Sequence, residues 1–251
     1  MSGRLRLENK VAIVTGGAGG IGRGIVRAFV KEGAQVLIVD INADNGAALE
    51  NELGTQVKFL AADITAQENC QHIVDTAVSQ FGKLDVLVNN AHASRQVSFM
   101  ETTQDHMDLS FKTGFYASFW LMQAAYPQLK ANQGHVVNFG SGAGIGGQPT
   151  QTSYAAAKEA IRAISRVAAN EWGPDNINVN VICPLALTEG VEAWWKEFPQ
   201  AKDKMLKSIP LGRMGDPETD IGRLAVFLPS EDSDFITGQT VMVDGGVVKI
   251  Y

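Results

Sequence analysis

The chain has 251 residues, 45% of them hydrophobic and 19% charged, a globular composition that excludes disorder as its main state. Its 21 Lys and Arg against 27 Asp and Glu leave a net charge of −6 without a long basic run, which argues against a nucleic-acid partner. Two unrelated cysteines, Cys70 and Cys183, and no metal-ligand spacing among His72, His106 and His135 exclude a disulfide framework and leave no metal site to expect.

From the N-terminus, Val11–Thr15 reads as a strand, then a glycine-rich turn and a helix over 20–32 that stops at Gly33. Strands over Gln35–Asp40 and Val57–Ala61, a helix over 66–81 and a strand over 84–89 follow. A helix over 113–130, a strand over His135–Phe139 and a helix over Thr152–Trp172 come next, the last stopped by Gly173-Pro174. A strand over 177–182, a helix over 217–228 and a strand over Thr240–Val243 complete the series. Runs such as Val-Ala-Ile-Val are apolar at every position, as strands covered on both faces are. Alternation of strand and helix predicts one α/β domain over 1–251, doubly wound in the Rossmann manner. Two stretches break the rhythm. Residues 140–147 hold five glycines, where backbone can approach a ligand. Residues 185–214 form a long segment with Trp194, Trp195 and Phe198, which reads as a flap over a site. No run approaches the ~18 apolar residues of a membrane span, and residues 1–10 lack the apolar core of a signal peptide. A soluble cytoplasmic protein without a membrane partner is expected.

The turn Thr15-Gly-Gly-Ala-Gly-Gly-Ile-Gly22 runs from a strand into a helix. Glycines there admit positive φ and bring bare N–H groups to a pyrophosphate at the helix N-terminus. Alone, such a turn also serves as a plain strand-to-helix connection. Asp40, ending the next strand, strengthens the ligand reading. Its carboxylate can accept from ribose hydroxyls and would repel a 2′-phosphate, and no basic residue sits nearby, so NAD(H) is expected over NADP(H).

Tyr154 and Lys158 stand four apart on a predicted helix and share a face. A free phenol has a pKa of about 10; an ammonium one turn away and a cationic nicotinamide would lower it toward working pH. By itself this pair is common surface decoration. Here it follows Ser141, which opens onto the glycine-rich loop and whose hydroxyl can donate to a carbonyl oxygen.

With Asp63 after the third strand, Asn89-Asn90-Ala91 after the fourth, Pro184 after the sixth and the ending Ile236-Thr-Gly-Gln-Thr-Val-Met-Val-Asp-Gly-Gly246, these motifs resemble the short-chain dehydrogenase/reductases over nearly the whole chain. The resemblance implies a seven-stranded parallel sheet flanked by helices, a nicotinamide dinucleotide on its carboxyl edge, and a homotetramer. It implies hydride transfer between cofactor and a small alcohol or ketone. Tyr154 would be general acid/base and Ser141 the carbonyl-polarising donor; Lys158 would lower the tyrosine pKa and hold the ribose. Gly16, Gly20, Ile21, Gly22 and Asp40 would hold the dinucleotide, with Asp63 and Ile64 beside the adenine, Asn89 at the adenosine-side ribose, and Pro184 and Thr188 at the carboxamide.

Three departures from the family pattern cluster near the nicotinamide. His92 stands where glycine is usual after Asn-Asn-Ala, either lining the substrate pocket, shuttling protons, or pointing past the pocket. Gly114 stands where the family carries an asparagine; if the family uses a backbone carbonyl at a helix distortion there, glycine supplies it too. Leu185 follows Pro184 in place of glycine, and Thr188 comes four residues after the proline rather than five. Candidate pocket residues are His92, Ala143, Gln151, Leu185, Trp194 and Trp195, the tryptophans having packing or a subunit contact as the other reading. With no Arg or Lys expected next to the carbonyl, the predicted substrate is an uncharged, mostly apolar secondary alcohol or ketone. A hydroxysteroid dehydrogenase or 3-oxoacyl reductase is the alternative in the same fold. A catalytically impaired dinucleotide-binding sensor or scaffold is the alternative of another class.

Overall fold

The computed structural model describes residues 5–250. Seven strands, β1 (Val11–Thr15), β2 (Gln35–Asp40), β3 (Val57–Ala61), β4 (Val86–Asn89), β5 (His135–Phe139), β6 (Asn178–Pro184) and β7 (Thr240–Val243), form one parallel sheet in the order β3-β2-β1-β4-β5-β6-β7. The expected doubly wound sheet is present. The order reverses between β1 and β4, whose carboxyl ends therefore flank the crevice where ligands bind in this architecture.

The strands are buried on both faces because their apolar residues feed two cores. Ala12 and Val14 pack with Ile25 and Phe29 of α1 (Gly20–Lys31) on one face. Ile13, Leu37 and Leu87 pack on the other face against Ile73 of α3 (Gln67–Phe81) and Leu121 and Leu129 of α5 (Ala117–Asn132). Period-two alternation within a wholly apolar strand thus serves both layers.

Three helical features differ from expectation. A helix α2 (Ala43–Leu53) follows β2; it buries little beyond Gly46 and Leu49, so it carries almost no apolar periodicity. The helix expected from residue 113 begins earlier, as α4 (Gln104–Ser110), and passes through a π-helical turn, Phe111–Tyr116, into α5. The segment expected as a helix from Pro217 is π-wound over Pro217–Gly222 before α10 (Arg223–Phe227). A short α6 (Gly142–Gly146) and the long α7 (Thr152–Trp172) follow β5.

Residues 185–214 hold α8 (Glu189–Glu197) and α9 (Pro199–Ser208). Their two roots are bonded to each other: the Gly215 N–H donates to the Leu185 carbonyl at 3.1 Å and the Leu187 N–H to the Gly215 carbonyl at 2.8 Å. Among the described residues no helix is long and apolar enough to cross a membrane.

Candidate active site

The glycine turn after β1 is held by side chains from β4. The Asn90 amide donates to the carbonyls of Thr15 (2.9 Å) and Gly16 (3.3 Å), while Thr15 Oγ1 accepts from the N–H groups of Asn90 and Ala91, both at 3.1 Å. The turn closes so tightly that a Cβ on Gly22 would lie 2.0 Å from the Gly16 carbonyl oxygen. Gly19, by contrast, faces open space, and the first turn of α1 has no side-chain cap of its own. The helix start suits an anion, and the Gly20 N–H there is taken by the Glu189 carboxylate at 3.2 Å. Asp40 fastens the same turn: one carboxylate oxygen accepts from the Ala18 N–H and the other from the Asn42 N–H, each at 3.0 Å.

A cavity of about 270 Å³ beside this turn is lined by Gly16, Asp40, Ile41, Asp63, Ile64 and His92. Asn89 is buried, its amide nitrogen donating to Asn138 Oδ1 at 2.8 Å, and its own Oδ1 has no partner. A buried acceptor left open at a strand end, a tight glycine cradle and a helix N-terminus that already draws a carboxylate together fit a dinucleotide.

The other half of the site rises from β5 and α7. Ser141 leaves β5 and caps α6, its Oγ accepting from the Ala143 N–H at 3.1 Å, so the hydroxyl proton is free to be donated elsewhere. Tyr154 lines the same cavity as Ser141. Lys158 is buried one turn further along, its Nζ 5.6 Å from the Tyr154 ring centroid and donating to the Phe139 carbonyl at 2.8 Å. Burial pushes the Lys158 ammonium down to about 8. It also raises the Tyr154 phenol, against a smaller lowering by Ser141. The lowering expected from the ammonium together with a cationic nicotinamide is not seen in the protein by itself, where burial dominates the phenol.

Ser141 and Tyr154 open into a cavity of about 970 Å³. Of the residues expected there, Ala143, Gln151, Leu185 and Trp194 line it, as do Ile21, Pro184 and Thr188 of the expected cofactor set. His92 and Trp195 do not. His92 lies on the cofactor side, and the Lys202 ammonium stands 5.2 Å over the Trp195 ring. Sequence reading missed Gln96, Gln148, Met205 and Met214; Lys204 brings one cation to this wall. Part of that wall was recoverable: Ala201, Lys204, Met205 and Ser208 recur at helical spacing and form the cavity face of α9. Asn90, the latch of the glycine turn, was also unassigned.

The three departures have local explanations. Thr188 caps α8, its Oγ1 accepting from the Val191 N–H at 3.4 Å. Leu185 starts the root of the flap. Gly114 lies in the π-helical turn, at a helix distortion, but its carbonyl already accepts from the Ser118 hydroxyl at 2.7 Å. The imidazole of His92 is packed directly against Gly114, and burial, with a smaller effect of Lys158, pushes its pKa down to about 2. Burial thus favours its neutral form.

The family profile described as enoyl-(acyl carrier protein) reductase matches residues 16–248. The chain is a short-chain dehydrogenase/reductase. Among relatives of this dehydrogenase/reductase, the 12α-hydroxysteroid dehydrogenase of a Clostridium species is 46% identical, covering 96% of this chain and 97% of that protein. The 3-oxoacyl-(acyl-carrier-protein) reductase of Chlamydia muridarum is 37% identical, covering 96% and 98%. The crystal structure of 3-ketoacyl-(acyl-carrier-protein) reductase from Brucella melitensis complexed with NADH superposes with a TM-score of 0.88 at 28% identity, covering 96% of this chain and 99% of that one. Homologues of this dehydrogenase/reductase are thus oxidoreductases that span steroid, acyl and polyol substrates.

Proposed function

We propose that this protein is an NAD(H)-dependent oxidoreductase acting on a bulky, mostly apolar secondary alcohol or its ketone, of the hydroxysteroid kind. The observation that carries the reading is that Ser141 and Tyr154, with Lys158 buried behind them, open onto the larger cavity, whose flap wall presents Trp194, Met205 and Met214. The 46% identity to a hydroxysteroid dehydrogenase, against 37% to the 3-oxoacyl reductase, favours a rigid alicyclic substrate.

When bound, the nicotinamide gives or takes the hydride. In the reducing direction Ser141 donates its free hydroxyl proton in a hydrogen bond to the carbonyl oxygen, and Tyr154 transfers its phenolic proton to that oxygen as the alcohol forms. Lys158 stabilises the phenolate left behind. Burial alone holds the phenol up, and a cationic nicotinamide, when bound, would lower it in the oxidising direction. Asp40 favours NAD(H), because a 2′-phosphate beside its carboxylate would meet like charge.

NADH oxidation measured against oxosteroids, smaller alicyclic ketones and a 3-oxoacyl thioester, with NADPH alongside, tests this reading. Faster turnover of oxosteroids with NADH is expected. Preference for the thioester or for NADPH would replace it, and NADH binding without turnover on any ketone would make the chain a sensor. We also propose self-association through the face of α5 and α7, where Tyr116, Phe119 and Val167 are exposed apolar side chains; sedimentation velocity giving a monomer would overturn this.

A further inference from the structure

His92 and Gly114 are complementary in shape. A Cβ placed on Gly114 would lie 2.3 Å from His92 Nδ1 and 2.6 Å from its Cε1, so the ring fills the space in which any side chain at 114 would have to start. The same ring meets Tyr154 edge-to-face, with centroids 4.9 Å apart and planes at 81°. Behind it, His92 Nε2 is hydrogen-bonded at 2.9 Å to Ser110 Oγ, at the end of α4. Ser110 is wholly buried. The loop that carries the ring is fixed one residue later to the π-helical turn that continues α4, where Thr113 Oγ1 accepts from the Ala93 N–H at 2.9 Å and donates to the Leu109 carbonyl at 2.7 Å.

We propose that His92 is a positioning residue for Tyr154: anchored by Ser110 and seated over the bare backbone of Gly114, its imidazole sets the plane of the phenol ring. Edge-to-face rings hold each other at a defined angle. A phenol that must hand its proton to a substrate oxygen depends on that angle, because small misplacements of a reacting group are costly. The imidazole lines the smaller cavity and not the larger one, so it reaches the substrate side only through Tyr154. Glycine at 114 follows from the same fit, since residue 114 has to lack a side chain for the ring to sit there. The inference rests on Tyr154 being the proton donor of the reaction proposed above.

The test is a set of cycles read in two ways. In steady-state kinetics with the best oxosteroid or ketone, His92→Ala is expected to lower kcat about 10- to 100-fold while the NADH dissociation constant changes less than about twofold. Ser110→Ala should lower kcat about 3- to 10-fold in the parent and less than about twofold more in the His92→Ala background, because its effect passes through the ring. Separately from activity, Gly114→Ala should lower the melting temperature in the parent and have little further effect in the His92→Gly background. Undiminished kcat in His92→Ala, additive effects of Ser110→Ala, or an equal melting-temperature loss from Gly114→Ala in both backgrounds overturns the proposal. Should the parent enzyme turn over no ketone, the functional reading fails by itself, and the melting-temperature cycle still decides whether ring and glycine are coupled.

Discussion

Glu189, the first residue of α8, sets its carboxylate on the start of α1, where Oε2 accepts from the Gly20 N–H at 3.2 Å. Its other oxygen pairs with Arg23. The flap therefore places an anion of its own where the cradle offers bare N–H groups. A dinucleotide pyrophosphate and this carboxylate compete for one positive helix end. Glu189→Gln is expected to tighten NADH binding about 3- to 10-fold, which is the order of one helix-end charge interaction. Fluorescence titration of both proteins with NADH reads this directly; equal affinities would show that the carboxylate leaves at no cost.

Asp40 carries two duties, since its oxygens hold the Ala18 and Asn42 N–H groups as well as facing the cofactor cavity. Asp40→Ala should raise the NADPH-to-NADH ratio of kcat/KM about tenfold or more, and also lower stability by about 1–2 kcal/mol through lost backbone hydrogen bonds. Asp40→Asn should shift the ratio with a smaller stability loss, because the amide oxygen still accepts. Unchanged ratios in both variants would mean that the carboxylate does not read the ribose.

Tyr154→Phe removes the phenolic oxygen and leaves the ring that His92 touches. Turnover should fall by about 10³-fold or more, with NADH affinity within about twofold of the parent. Residual activity above about a tenth of the parent would assign the proton transfer to another group.

Two buried histidines make stability depend on acid. Burial pushes His92 down to about 2 and His135 down to about 4, with smaller effects of Lys158 and Lys10. In the unfolded chain both titrate near 6.5. Below that pH the unfolded chain takes up protons that the native protein refuses, so stability falls as pH falls. The loss due to His135 levels off below about pH 4, and that due to His92 continues toward pH 2. Melting temperatures between pH 7 and 4 should fall less steeply for His135→Phe than for the parent, and identical slopes would show that His135 charges in place.

The sheet was legible almost residue by residue, because strands buried on both faces have nothing but apolar residues to show. Val86 rather than Leu84 begins β4, and Pro184 rather than Ile182 ends β6, differences decided by ladder pairing, which sequence does not display. Helix α2 was illegible for a reason in its packing: Gly46 lies against the Phe59 ring with no room for a Cβ, so a residue that reads as a breaker is the one that lets helix and strand touch. The Ser141–Tyr154–Lys158 set was found because two of its members lie on one helix and the third starts a glycine loop. His92 stands out in the sequence as a departure whose surroundings stay open between the substrate pocket and a place past it. What faces it, Gly114 and Tyr154, comes from 22 and 62 residues further along the chain, and only the fold brings them together. The far wall of the larger cavity was hidden likewise, since α9 is reached only by a chain that doubles back at Gly215.

That doubling back has an evolutionary meaning. Because Leu185 and Leu187 grip Gly215 through main-chain atoms, the ends of the segment are joined whatever side chains lie between them. Lengthening or rewriting a loop whose ends are already pinned adds little closure entropy, about 0.6 kcal/mol per doubling of length. The segment is in effect a cassette. A differently shaped lining can be exchanged there as a unit, while β1, β5 and α7 keep the glycine turn, Ser141 and Tyr154 in register.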